Sequence, residues 1–349
     1  MTPQKTAFVT GFTGQDGTFL TRLLLDKGYK VVGLVRRIST EPPRRVRGRF
    51  DFRDELANGQ LVLEEGDLLS ISSLIRIIGV HRPDEVYNLA AQSHVGLSFL
   101  QPEFTMATIL EGTVNLIHAL ESMDPHGLHW KMYQASTSEM FGDRPAGEAM
   151  AEDTEFRPNS PYAIAKAAAH YYCAMKRKEG RFISCGILFN HESEIRGGDF
   201  VTQKIARGVH HWLETGEPVA LGNLNAIRDW GYAGDYVKAM YLMLQQNQPD
   251  DYVVATGEAH TVRDFVMAAF GAAGIELVSN GDGLEERMTA IRGSRGGTAV
   301  VVDSRYYRPA DVGFLNGNAA KIRALGWLPE VRFEDLVAKM VEAAKNGNH

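Results

Sequence analysis

Ala7-Phe8-Val9-Thr10-Gly11-Phe12-Thr13-Gly14-Gln15-Asp16-Gly17 passes from a short apolar strand into a loop carrying three glycines. Leucines at helical spacing occupy residues 18–26 and stop at Gly28, after which 29–35 reads as a second strand. Strand, glycine loop, helix and strand in that order form the opening unit of a dinucleotide-binding fold. Gly11, Gly14 and Gly17 let the backbone turn tightly, approach a pyrophosphate and pack the helix on the sheet. Thr13, Gln15 and Asp16 share the helix start, whose amides face the phosphates. The spacing is GxxGxxG, not GxGxxG, and a plain structural turn has the same composition. The strand and helix on either side favour the cofactor reading.

The end of the second strand selects the cofactor. An NAD site places an acid there for the ribose diol, whereas arginine suits the 2′-phosphate of NADP. This chain has Arg36 and Arg37 at that point and no acid, so NADP is the expectation; the competing reading is a solvated surface pair. Residues 38–55 are proline-broken and arginine-rich, too long for an ordinary strand connection. A solvated loop, a reach to a neighbouring subunit and a reach to cofactor phosphates all remain open. The aromatic interleaving of a single-strand nucleic-acid patch is missing.

Outward from the opening unit, 61–68 is a third strand with Asp67 and Leu68 at its exit, where a carboxylate can accept from the adenine amino group. A helix at 71–78 leads to a fourth strand whose exit, Leu89, Ala90, Ala91 and Ser93, is small enough for the backbone to lie against the cofactor. A helix over 105–120, a fifth strand over 131–136 and a sixth over 182–188 complete the alternation. The expectation is an α/β fold, a doubly wound parallel sheet of Rossmann type, with its crevice at the carboxyl ends of the strands.

The fifth strand ends in Thr137-Ser138-Glu139, and Ser160-Pro161-Tyr162 opens a helix with proline early in it. Tyr162 and Lys166 are four apart and share a helical face. An ammonium near a phenol lowers the phenol pKa, so Tyr162 can take a proton from a sugar hydroxyl as hydride leaves its carbon. Such a pair is common surface decoration by itself. Beside Thr137 and Glu139, in a glycine-loop fold, it reads as catalytic.

After residue 190 the pattern changes: helix 200–213, strand 219–221, a turn at 228–232, helix 235–244, strand 252–256, then shorter elements and a glycine-rich stretch at 280–297. The expected organisation is an NADP-binding domain over 1–190 with 225–258 returning to it. A smaller substrate-binding lobe takes 191–224 and 259–349.

Bulk properties bound the function. The chain has 349 residues, 44% of them hydrophobic, a net charge of −6 and two cysteines without CxxC spacing. This excludes disorder as the default and disfavours nucleic acid, anionic membrane, a disulfide framework and a zinc site. No apolar run reaches the roughly 18–20 residues needed to cross a bilayer, and no apolar leader precedes the first strand, so a cytoplasmic enzyme is expected. His94, His210 and His211 show no ligand spacing, and no metal is expected.

Several stretches resemble the extended short-chain dehydrogenase/reductases that modify nucleotide-sugars, and within them the GDP-mannose 4,6-dehydratases. They are 10–17, 35–37, 87–95, 133–139, 186–193, 200–205, 221–226, 228–231 and 306–309, in family order across nearly the whole chain. The resemblance implies a redox-neutral elimination on a GDP-sugar. Hydride passes from C4 of the hexose to NADP⁺ as Tyr162 accepts the hydroxyl proton. Glu139 removes the C5 proton and helps expel the C6 hydroxyl as water, and hydride returns at C6. Lys166 tunes Tyr162, and Thr137 bonds the C4 oxygen. His191 and Arg196 are implied at the nicotinamide end or at subunit contacts. Ser93, Asn190, Val201, Lys204, Leu221, Gly222, Asn223, Arg228 and Arg308 are implied around the substrate.

Two departures qualify this. The family's serine-rich run, Asn-Thr-Gly turn and arginine after Arg37 are replaced by Ile38-Ser39-Thr40-Glu41-Pro42-Pro43. A homodimer is therefore expected, with a homotetramer as the larger alternative. Ser-Pro-Arg-Arg-Gly is replaced by Ser193-Glu194-Ile195-Arg196-Gly197, which opens the choice of sugar to a GDP-manno-heptose. A nucleotide-sugar epimerase and a non-catalytic NADP(H) sensor are the other readings; the intact Thr137, Glu139, Tyr162 and Lys166 disfavour the sensor.

Overall fold

The computed structural model describes residues 4–36, 50–145, 147–306 and 312–345. Arg37, the arginines of 38–49 and Arg308 lie outside them.

The central sheet is built from β1 (Thr6–Thr10), β2 (Lys30–Val35), β3 (Leu61–Glu65), β4 (Glu85–Asn88), β5 (Lys131–Thr137), β6 (Ile183–Leu188) and, far along the chain, a returning edge strand at Asp251–Val254. All six pairings are parallel. From β1 the chain winds outward through β2 and β3, then crosses back to β4 on the other side of β1. The order therefore reverses beside β1, and the glycine loop leaves the sheet at the switch point, where open α/β sheets bind ligands.

Successive residues feed opposite faces. On β1, Ala7 and Val9 join a core with Leu20 and Leu24 from α1 (Gln15–Asp26), while Phe8 joins a second core on the other face. That second core takes Leu74 and Ile77 from a helix at Ile71–His81 and Leu116 and Leu120 from one at Gly112–Met123. Burial on both faces is why these strands read as continuous apolar runs.

The helix expected over 105–120 extends over Pro102–Met106, a π-helical turn at Ala107–Glu111 and Gly112–Met123. Pro161–Lys178, called the catalytic helix below, packs beside it.

Beyond residue 190 two smaller sheets form. Strands Asn190–Glu192, Ile227–Tyr232 and Ala259–Thr261 make one of three strands. Val219–Leu221, Glu276–Asn280, Arg287–Arg292 and Gly297–Val302 make one of four. Residues 228–232, expected as a turn, are thus a strand. Asp229 there is fully buried and accepts from the Thr256 and Gly257 amides and the Thr256 hydroxyl, which lets an acid sit inside a buried strand. The third core gathers helices Val201–Thr215, Val262–Ala272 and Phe333–Lys345 around Trp212, Phe265 and Phe270. From the returning segment, Ala233–Leu244 packs on α1 and the edge strand pairs with β6. Among the described residues no helix is long and apolar enough to cross a membrane.

Candidate active site

The three glycines of the opening loop serve different ends. Gly11 has φ +69°, and a Cβ there would come within 2.8 Å of the Ala90 amide nitrogen. A Cβ on Gly17 would strike the Gly11 carbonyl at 2.3 Å, so this glycine sets the packing of α1 on the loop. A Cβ on Gly14 would meet only the Gly11 oxygen, at 3.1 Å, leaving that side of the loop open. Gly14 caps α1 without a side-chain bond, so first-turn amides are left for a ligand. An open face, uncapped amides and close approach of the β4 exit fit a pyrophosphate.

The first turn also carries a carboxylate, which would repel phosphate if unpaired. Asp16 lies 2.8 Å from His191 Nε2, and His191 Nδ1 lies 2.8 Å from the Phe189 carbonyl. Both ring nitrogens face acceptors, the arrangement of an imidazolium. Burial opposes both charges, but the partner's charge prevails: His191 is raised and Asp16 lowered from their ordinary values. Gln15 donates to the His191 carbonyl at 3.1 Å and accepts from the Ser193 hydroxyl at 2.7 Å. Loop and distant strand are thereby strapped together.

At the end of β5, Thr137 is buried and its hydroxyl accepts from the Glu139 amide at 3.3 Å, holding the tight turn Ser138–Phe141. Ser160 caps the catalytic helix by accepting from the Ala163 amide at 3.1 Å, which presents Tyr162 in the first turn. Burial pushes the Tyr162 phenol up to about 12; a hydrogen bond with Thr137 opposes the shift and the Glu139 charge adds to it. Thr137, Glu139 and Tyr162 are therefore one electrostatic unit. The expected lowering of Tyr162 by Lys166 is not found. Lys166 Nζ is 5.9 Å from the Tyr162 ring centre and donates to the Ala135 carbonyl at 2.8 Å. Burial brings Lys166 down to about 8, against the pull of Asp16.

Sequence reasoning missed a buried polar chain beneath this cluster. The Thr10 hydroxyl donates to Asn88 Oδ1 at 2.7 Å and accepts from the Leu89 and Ala90 amides at 3.1 Å. Asn88 Nδ2 donates to Gln134 Oε1 at 2.8 Å, and Gln134 Nε2 to the Ala135 carbonyl at 3.2 Å, the group that also holds Lys166. Glycine loop, β4 exit and lysine are joined through side chains on three adjacent strands. Polar residues in otherwise apolar buried strands, Thr10 and Asn88 at their ends and Gln134 in the middle of β5, were the available signal. Ile109, inside the π-helical turn, packs with Tyr162, a common placement for such turns near functional groups.

The remaining expected residues are dispersed. Arg36 is exposed after β2. Asp67 accepts from the Leu69 amide at 2.9 Å, Leu68 is buried, and Ser93 is exposed beyond Ala91. Arg196 pairs with Glu192 at 3.0 Å and lies 3.5 Å from the Phe200 ring centre. Asn190 opens the strand that carries His191, with its Oδ1 buried and unpartnered among the described residues. Val201 and Lys204 lie in the first turn of their helix, and Lys204 Nζ sits 3.2 Å over the Tyr306 ring. Leu221 is buried, Gly222 backs onto the Tyr306 carbonyl, and Asn223 accepts from the Asn225 amide at 2.9 Å. Arg228 is 9% exposed and donates to the Ile227 carbonyl at 2.9 Å.

The sequence profile described as GDP-mannose 4,6 dehydratase matches residues 8–340. The chain belongs to that family. Its relatives include GDP-mannose 4,6 dehydratase 1 of Arabidopsis thaliana, 45% identical over 97% of this chain and 90% of the relative. The Vibrio cholerae GDP-mannose 4,6-dehydratase is 42% identical over 97% and 93%, and the Homo sapiens protein 43% over 98% and 91%. Among solved structures, the Thermus thermophilus UDP-glucose 4-epimerase complex with NAD superposes with a TM-score of 0.80 at 26% identity, covering 97% of this chain and 99% of that one. A dTDP-glucose 4,6-dehydratase from Bacillus anthracis reaches 0.77 at 20% identity over 98% and 97% of the two chains, a likeness of fold alone. Within the GDP-mannose 4,6-dehydratase family, this member's Glu194 is buried, 3.4 Å from the Tyr232 hydroxyl.

Proposed function

We propose that the protein is a hydro-lyase converting GDP-mannose to GDP-4-keto-6-deoxymannose with tightly held NADP. The observation that carries this reading is the carboxylate of Glu139 on the turn that the Thr137 hydroxyl holds at the end of β5, with its charge felt at the Tyr162 phenol, in a member of this family. An enzyme that only oxidises and re-reduces C4 has no use for a carboxylate at C5; elimination of the C6 hydroxyl requires one. Gly11, Gly14, Gly17 and the β4 exit would hold the pyrophosphate, Asp67 the adenine, and Arg36 with Arg37 the 2′-phosphate. When bound, the nicotinamide supplies a hydride acceptor at C4 and a donor at C6. Tyr162, as its phenolate, would take the C4 hydroxyl proton at its phenolic oxygen while Thr137 bonds the same sugar oxygen; burial keeps the phenol protonated by itself, and the positive charge of an oxidised nicotinamide held beside it would favour the phenolate. Glu139 takes the proton from C5, acidified by the 4-ketone, and gives it to the departing C6 hydroxyl, which leaves as water. As hydride returns at C6, the proton that Tyr162 took would pass to C5, so hydride and proton counts balance without an added reductant.

Domain 1–190 with 225–258 would carry the cofactor. The lobe of 191–224 and 259–349 would carry the sugar nucleotide, with Arg228 and Arg308 on its diphosphate. A homodimer would bury Ile164, Tyr171 and Met175, all exposed on the catalytic helix, together with neighbouring Leu100 and Phe104. Buried Glu194 favours a second substrate reading, a GDP-manno-heptose, whose extra hydroxyl could donate to it.

Incubation of the purified protein with GDP-mannose, followed by mass spectrometry, tests the proposal. Loss of one water without added reductant is expected. An unchanged mass with inverted stereochemistry identifies an epimerase, and no turnover of any GDP-sugar returns the sensor reading. Faster turnover of the heptose in competition would reassign the sugar.

A further inference from the structure

Tyr162, Lys166 and His170 follow one another at four-residue steps on the buried side of the catalytic helix. The first two face the crevice; His170 has no part in the chemistry above and yet is only 5% exposed. Its Nδ1 lies 2.9 Å from the hydroxyl of Ser136, the residue before Thr137 on β5. Its Nε2 lies 3.7 Å from Asp251 on the returning edge strand, which the Arg177 guanidinium grips through two nitrogens. Cys185 of β6 completes the cluster: donor atoms of His170, Cys185 and Asp251 all lie within 4.8 Å of one another. A bridging metal ion is disfavoured, because Arg177 already neutralises the carboxylate and lies 3.7 Å from the Cys185 sulfur. A second cation would meet a fixed positive charge.

The ring is also fixed by shape. Phe156 meets it edge-on at 5.1 Å, and Phe156 packs at 5.3 Å against Phe141, which ends the turn bearing Glu139. One imidazole thus touches the strand that presents Thr137, two further strands, and the aromatic pair under Glu139. A hydrogen bond weakens steeply as its distance and angle depart from the optimum, so a polar tether between helix and sheet adds a sharp axial constraint to that of apolar packing. Polar tethers specify the axial position here: near the site, Lys166 to the Ala135 carbonyl and His170 to Ser136, on consecutive residues of β5, and two turns further along the helix Arg177 to the Ile183 carbonyl and Asp251.

We propose that His170 is a positioning residue for the dehydratase reaction: its hydrogen bond to Ser136 sets the axial position of the catalytic helix, and so places the Tyr162 oxygen against Thr137 and Glu139. This rests on the catalytic reading above for its activity arm only. Misplacing reacting groups by a fraction of an ångström to 1 Å costs on the order of tenfold to a hundredfold in rate. Substrate affinity, assigned above to the lobe of 191–224 and 259–349, is not affected by the same slip.

The test compares His170→Phe, which keeps the ring shape without its nitrogens, with His170→Asn, which returns a polar atom near the Nδ1 position, and with Ser136→Ala. Expected are a roughly tenfold or greater loss of kcat at unchanged KM in His170→Phe and Ser136→Ala, no further loss when the two are combined, and recovery of most activity in His170→Asn. Amide hydrogen exchange over 162–170 is expected to quicken in His170→Phe and Ser136→Ala but not in His170→Asn. Unchanged kcat in a folded His170→Phe, additive losses in the double variant, or no recovery in His170→Asn would overturn the proposal. Should His170→Phe not fold, Ser136→Ala decides alone, a retained kcat counting against the tether. Should the wild type not turn over GDP-mannose, the functional reading fails, and the exchange experiment still decides the tether.

Discussion

Asp16 and His191 stand 175 positions apart in sequence and 2.8 Å apart in space, joining the first turn of α1 to the strand Asn190–Glu192. Tyr236 stacks on the imidazole at 4.6 Å, and Arg196 adds an opposing positive charge nearby. Because His191 is raised, its share of stability is fully present below its ordinary value of 6.5 and is lost as pH climbs through the raised value. Because Asp16 is lowered, its share is present above 3.8 and is lost as pH falls through the lowered value. Thermal midpoints measured from pH 5 to 10 should fall on the alkaline side in the wild type. Asp16→Asn should have a lower midpoint near neutrality and a flatter alkaline limb; an unchanged limb would remove the imidazolium from the account.

Glu139→Gln should keep the fold and bind NADP as the wild type does while losing water elimination by about 10²–10⁴-fold, the range for one acid–base group. Product mass and bound-nucleotide content from one preparation give both halves. Full activity in this variant would move the C5 base elsewhere.

Gly142 closes the turn that carries Glu139, with φ +66° and a Cβ position 1.9 Å from the Arg157 carbonyl oxygen. Backbone conformation and space both demand glycine. Gly142→Ala should destabilise by on the order of 3 kcal/mol or more, read by urea denaturation.

Arg36→Ala should weaken NADP far more than NAD. A charge-assisted hydrogen bond contributes about 1.5–3 kcal/mol, so roughly a tenfold to hundredfold loss of NADP affinity is expected in a fluorescence titration. Equal loss for both cofactors would argue against a 2′-phosphate contact.

Tyr171 is 59% exposed on the catalytic helix between exposed Ile164 and Met175. Tyr171→Glu should convert a dimer to monomers in light scattering at micromolar concentration, since an unpaired charge in a buried interface is costly. A wild type that is already monomeric would refute the dimer.

What could be read from residues alone follows the distance over which the information is written. The glycine loop, the strand end at Thr137 and the Tyr162–Lys166 spacing are local, and the periodicity around them is strong. Contacts between remote segments leave no such trace: nothing near Ser136 points to His170 and Asp251, and nothing near Asp16 points to His191. The strand at Arg287–Arg292 was missed for another reason. It buries Met288 and Ala290 but leaves Ile291 exposed at 61% beside arginines, so its alternation is blurred. Asp229 misled in the opposite direction, a charge in a strand whose partners arrive from Thr256 and Gly257.

The returning edge strand has a consequence for how the protein is made. Asp251–Val254 covers β6, and Lys131 at the start of β5 donates to the Leu244 and Gln246 carbonyls at 2.8 and 2.9 Å. During synthesis, at about 5–20 residues per second, β6 therefore waits several seconds for the segment that shields it. Throughout that interval it presents an open row of unpaired backbone N–H and C=O groups on an apolar strand, the kind of edge that pairs with other nascent chains. Chaperone demand on the ribosome should peak between completion of Leu188 and emergence of Val254, and a ribosome stalled in that window would release the species most prone to aggregate.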